Sequence, residues 1–195
     1  MKKLLAGTLL LFSVCTFGQT VPVKDYFNVP NIKFNKGAFH LAWSSHPTDI
    51  YYKHEYLLPG DTFPKFKTML LLEALTGLKM KDVVGIKIAE LKNFKKTNPV
   101  VNYELLDNSK KGEYMLDFLM SENSADGKYV LMVERNVYRY KTIKDKDGKK
   151  WVVLFGISMR YYGDEGDKFF ATLKATRDEM LNIIGVFDIP EINIP

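Results

Sequence analysis

The chain has 195 residues, 46% of them hydrophobic and 26% charged, with a formal net charge of +5, three histidines and one cysteine. That length is enough for one domain with a substantial core, and the composition excludes a disordered or low-complexity chain. The charge is mild and forms no continuous basic stripe with aromatic or helical readers, so nucleic acid is not the expected partner.

Residues 1–18 read as a signal peptide outside the fold. Lys2 and Lys3 supply a charged start, Leu4 to Phe12 an apolar stretch too short to span a bilayer, and Thr16-Phe17-Gly18 a cleavage site before Gln19. The expected mature chain is periplasmic or secreted, with no membrane span. Cys15 follows Val14, a poor match to a lipoprotein signal, so lipidation is not expected. Removing the segment takes away the only cysteine and lowers the formal charge from +5 to +3. Without cysteine there is no disulfide, thiol nucleophile or thiolate metal site, and stability must come from the core.

Residues 19–37, with Pro22 and Pro30, read as an extended lead-in with a short edge strand near Ile32 to Phe34. Residues 38–195 read as a single α+β domain. Phe39 to Ser45 and Ile50 to Leu57 are two predicted strands of a hairpin. Pro47 is confined to their connection, because proline cannot serve a central ladder. A buried helix is predicted from Asp61 or Thr62 to Gly77. Pro64 suits its first turn, Gly77 its end, and Met69-Leu70-Leu71-Leu72 is apolar nearly all round. A second helix, from about Lys81 to Lys95, puts Val84, Ile88 and Leu91 on one stripe and Lys87, Glu90 and Lys92 opposite.

The run from Val100 to Tyr162 reads as four consecutive antiparallel strands, cut by turn signals at Asn108–Gly112, Ser124–Gly127 and Lys144–Gly148. Trp151, Val153, Phe155, Ile157, Met159 and Tyr161 form one face, leaving Gly156, Ser158 and Arg160 on the other. Tyr114, Leu116, Phe118 and Met120 form a second such face. Alternation fails near Glu134-Arg135, where a bulge or bend is expected. A final helix runs from about Gly166 to Ile184, with an extended tail behind it.

The predicted order is ββ-αα-ββββ-α, an antiparallel sheet with helices packed mainly on one face. Over roughly residues 38 to 185 this hairpin, helical insert, meander and C-terminal helix resembles the Mog1/PsbP-like α+β fold. The resemblance implies an accessory or binding protein more often than an enzyme, although fold does not fix function.

Three clusters carry candidate chemistry. His40, His46 and His54 lie within fifteen residues. If the hairpin brings His40 opposite His54, the three imidazoles could hold Zn²⁺, with Asp49 or Glu55 adding an oxygen; a one-residue change of register would separate them. Beside them, Trp43, Tyr51, Tyr52 and Tyr56 suit either sheet packing or a ligand groove. Third, Glu104, Asp117, Glu134, Arg135, Arg139 and Arg160 sit inside strands and are expected on the face the helices leave open. There, with Tyr138, Tyr140 and Tyr162, they could bind a polar ligand or simply pair across strands. The candidate ligand or partner surface is thus Trp43, Tyr52, Tyr56, Arg135, Tyr138 and Arg160.

Lys92, Lys95, Lys96, Lys110, Lys111, Lys144, Lys146, Lys149 and Lys150 read as solvated turn and helix positions. No nucleophile elbow, phosphate-binding glycine loop or dinucleotide fingerprint is present. The expected function is an exported, non-enzymatic domain that binds a small ligand or a cell-envelope protein partner and needs no cofactor. A metal-dependent hydrolase built on the three histidines is the alternative. A structural subunit that adds its extended termini as strands is a third possibility.

Overall fold

The computed structural model describes residues 23–194. The expected signal peptide and Cys15 lie outside the described residues. Eight strands make one antiparallel sheet: β1 (Asn31–Phe34), β2 (Gly37–Thr48), β3 (Tyr51–Leu57), β4 (Thr68–Thr76), β5 (Asn102–Asn108), β6 (Glu113–Asn123), β7 (Val130–Lys144) and β8 (Lys150–Tyr162). Among the described residues two α-helices complete it, α1 (Met80–Phe94) and α2 (Asp164–Val186). The sheet order is β1-β2-β3-β4-β8-β7-β6-β5. Two four-strand meanders therefore meet where β4 pairs with β8, and α1 carries the chain from the centre of the sheet to its far edge.

Alternation along the strands gives each face its own core. On one face Tyr56, Leu70, Leu72, Val137 and Phe155 pack with Ile184 of α2 and with Ile189 and Ile192 of the tail. On the other, Leu57, Leu71, Leu116, Phe118, Tyr140 and Leu154 pack with Val84 and Leu91 of α1. The helices thus lie on opposite faces, not mainly on one. Strand β8 shows why: every residue from Trp151 to Met159 is buried, as a central strand covered on both sides requires.

The same physics corrects the predicted helix at residues 61–77. Only a single 3-10 turn forms, at Phe63–Lys65. The rest is β4, paired along its length with β3 and β8. Met69-Leu70-Leu71-Leu72 is apolar on all sides because a strand between two covered faces needs exactly that pattern, which periodicity cannot distinguish from a buried helix. The order is therefore ββββ-α-ββββ-α. Helices α1 and α2 fall within two residues of their predicted bounds.

The register runs unbroken through Glu134 and Arg135 on both sides of β7; the shift lies between Glu122 and Asn123. Alternation weakens at Glu134-Arg135 because each of these residues is ion-paired on its own covered face. Pro47 lies inside β2, at the irregular step between Ser45 and Thr48. Phe27 and Val29 of the lead-in are buried in the α2-side core. The Asn193 amide donates to the Phe27 carbonyl at 3.1 Å, tying the tail to the lead-in.

Candidate functional site

The structure does not bring the three histidines together. His40 pairs with Leu57 and His54 with Ser44, after a register shift between Leu41 and Trp43. Leu57 belongs to the α1-side core, whereas His54 packs 4.3 Å from the Phe27 ring on the other face. His46 is exposed and stacks on Tyr52, ring centroids 4.0 Å apart. His54 is fully buried, and both its nitrogens are committed. Nε2 accepts from the Tyr26 amide at 3.0 Å. Nδ1 meets the Tyr56 hydroxyl at 3.0 Å, and that hydroxyl donates to the Val29 carbonyl at 2.9 Å, so Nδ1 must carry the proton. Burial pushes the imidazole pKa down to about 4, with Asp25 opposing only in part. A neutral ring with no free lone pair cannot ligate Zn²⁺. Among the described residues, no group of three His, Cys, Asp or Glu is placed to hold a metal ion.

Tyr52 and Tyr56, predicted for a ligand surface, are instead buried in the α2-side core. Arg135 is buried as well. Its Nε and Nη2 donate to the two oxygens of Asp117 at 3.1 and 3.2 Å, and Nη2 also donates to the Arg177 carbonyl of α2. Arg177 in turn reaches Asp117 at 2.8 Å and Glu104 at 2.6 Å. Arg139 grips Glu113 through two bonds of 3.0 Å and donates to the carbonyls of Ile184 and Phe187 at 3.0 and 2.7 Å. It thus caps the C-terminal end of α2, where the helix dipole favours a cation. These charges dock a helix. Glu104, Asp117, Arg135 and Arg139 lie on the α2 face, Glu134 and Arg160 on the α1 face, and the expected open face carrying all six does not form.

The α1 face holds the feature that sequence reasoning missed, a buried polar seam across five strands. Lys53 Nζ lies 2.7 Å from Glu55 and 4.0 Å from Glu73, beneath the ring of Trp43. The Tyr51 hydroxyl donates to Glu73 at 2.7 Å. Farther along, the Ser158 hydroxyl donates to Asn136, Asn136 donates to Glu134 at 3.0 Å, and Arg160 donates to Glu134 at 2.6 Å. Tyr138 lies flat over Gly156, where an added Cβ would meet its ring at 2.8 Å. Lys87 of α1 sits over the Phe118 and Tyr138 rings. The sequence signal was the alternation of Tyr51, Lys53 and Glu55, which marks one strand face as polar.

The electrostatics of the seam define what it can do. Burial, then Glu73, pushes the Tyr51 and Tyr138 phenols far above their ordinary range. Burial alone would lower the Lys53 pKa, but Glu73 and Glu55 outweigh it and hold the ammonium charged. The seam therefore offers neutral phenols and a paired cation. These are fixed hydrogen-bonding groups rather than a nucleophile or base poised near neutral pH.

The concavities among the described residues include two that open to solvent. One, of about 460 Å³, lies between the β5–β6 hairpin and the last turn of α2, lined by Leu106, Met115, Leu181 and Val186 together with Lys111, Asn182 and the Glu113–Arg139 pair. Gly185 faces Met115 there, and an added Cβ would lie 3.4 Å from the Met115 methyl. The other, of about 430 Å³, lies between the end of α1 and the start of β5. Among the described residues, no helix is long and apolar enough to cross a membrane.

A protein-family model matches residues 27–189. The matched segment opens at Phe27, packed on His54, and closes at Ile189 in the same core, so it spans the whole sheet and both helices. No curated protein and no solved structure gives a match.

Proposed function

The chain belongs to that family, and we propose that it is an exported, non-catalytic binding domain that takes an amphipathic group at the cleft between the β5–β6 hairpin and the end of α2. That group is either a small ligand or a side chain of a cell-envelope protein partner. The observation that carries this reading is the composition of the cleft. Leu106, Met115, Leu181 and the 77% exposed Val186 surround a charged pair already satisfied within the protein. Arg139 spends its donors on Glu113 and on helix carbonyls. It therefore shapes the cleft, while recognition falls to the apolar walls and to Lys111 and Asn182 at the rim. A volume of about 460 Å³ suits a small ligand, since such sites run roughly 300–1,000 Å³.

The charged start and apolar run of residues 2–12 support export. The topological resemblance to Mog1/PsbP-like proteins supports a binding role. The neutral, sealed His54 argues against the hydrolase alternative.

An amide-resolved NMR titration tests the proposal, with octyl glucoside below its micelle concentration as a minimal amphiphile and the small-molecule fraction of an envelope extract as the natural source. The reading expects shifts at Leu106, Met115 and Leu181, abolished by the cleft-filling Asn182→Trp. Undiminished binding by Asn182→Trp, with shifts elsewhere, overturns it.

A further inference from the structure

We infer that the concavity between α1 and β5 is an anion site for a phosphate- or sulfate-class group. Lys92 lies in the last turn of α1, Lys95 is its C-cap and Lys96 follows in the turn behind it, and all three line one concavity. The chain then turns through residues 95–99, so that β5 begins beside those lysines. Asn102 and Tyr103 complete a concavity of about 430 Å³.

The lysines there lack counter-charges. Lys53, Lys67, Lys87 and Lys128 each lie within ion-pair distance of a carboxylate. Among the described residues, none of the three around this concavity does. Glu90, on the same helix, is held by Lys87 at 3.1 Å, and Glu104, on β5, is held by Arg177 at 2.6 Å. Among the described residues, Lys95 reaches the neutral amide oxygen of Asn102 at 3.4 Å and Lys96 that of Asn93 at 3.2 Å.

The helix dipole accounts for cations in a last turn. It does not account for three of them converging on a hollow with an amide and a phenol at its edge. Like charges around one concavity repel, and an anion of two charges would relieve that repulsion while accepting hydrogen bonds from the ammoniums. The sequence grouped these lysines with the solvated turn positions. The structure separates them from Lys144, at the end of β7, and from Lys146 and Lys149 on the β7–β8 turn. The site is also distinct from the amphipathic cleft, which uses the opposite end of β5.

The test is calorimetric titration of the purified protein with pyrophosphate, alongside sedimentation with vesicles of phosphatidylglycerol or of phosphatidylcholine. The triple variant Lys92→Gln, Lys95→Gln, Lys96→Gln changes exposed side chains, so its fold is checked by thermal melting. A second triple variant, Lys144→Gln, Lys146→Gln, Lys149→Gln, removes the same net charge elsewhere. The inference expects the first variant to weaken binding by about tenfold or more, with a shallower salt dependence, and the second to leave it nearly unchanged. Binding of pyrophosphate alone identifies a free small anion as the ligand. Binding of phosphatidylglycerol vesicles alone identifies a lipid headgroup. Equal weakening by both variants, or no binding of either probe at millimolar concentration, overturns the inference.

Discussion

Lowering the pH acts on His54 first, because its imidazole is sealed in the neutral form. Folding moves its pKa from 6.5 to about 4, and the sign follows from proton binding. Below pH 6.5 the unfolded chain takes up a proton that the native ring refuses, so stability is fully present above 6.5 and declines as pH falls toward 4. The loss from this one group is about 2 kcal/mol by pH 5 and about 3 kcal/mol by pH 4, at about 1.4 kcal/mol per pKa unit. That corresponds to a fall of roughly 6–12 °C in melting midpoint by pH 4, at about 2–4 °C per kcal/mol for a chain of this size.

The assay is urea unfolding at half-unit pH steps for the wild type and His54→Gln, whose amide can still accept from Tyr26 and donate to Tyr56 but does not titrate. The two profiles should diverge between pH 6.5 and 4, with the wild type losing about 3 kcal/mol more. Hydrogen exchange at the Tyr26 amide, corrected for its intrinsic pH dependence, should accelerate over the same window, since protonating Nε2 removes its acceptor. Parallel profiles for the two proteins would refute the assignment of a neutral, buried His54.

Gly156→Ala should destabilise by about 1–3 kcal/mol, because its methyl enters the Tyr138 ring at 2.8 Å; the penalty should shrink in a Tyr138→Ala background when both are measured by urea unfolding. Tyr51→Phe removes the donor to buried Glu73 and should cost about 1–3 kcal/mol by the same measurement. Arg139→Met strands Glu113 and two carbonyls at the end of α2. A loss of about 3–5 kcal/mol is expected, with hydrogen exchange rising first in residues 181–187.

Much of the fold was legible locally. The face from Trp151 to Tyr161 and the face from Tyr114 to Met120 fall where two-residue alternation places them. Helix α1 follows its Val84–Ile88–Leu91 stripe, and α2 stops at Val186, just past Gly185. The site was less legible. Tyr138 and Arg160 lie on the face that α1 covers rather than on an open one, and Tyr52, Tyr56 and Arg135 are buried in the opposite core or beneath α2. In one dimension, an arginine that docks a helix and one that meets a ligand look alike.

What the sequence determined by itself was the set of strands and helices with a clear period, because period is a property of neighbours along one element. What only the tertiary structure decided was everything that depends on which faces are covered. The β4 segment is a strand because β3 and β8 flank it and two cores press on it. His40 and His54 part company because one register shift in β2 turns His40 away from the lead-in that seals His54. The seam of Lys53, Glu55 and Glu73 exists because burial forces charges from different strands to satisfy one another, a requirement that no single strand's pattern records.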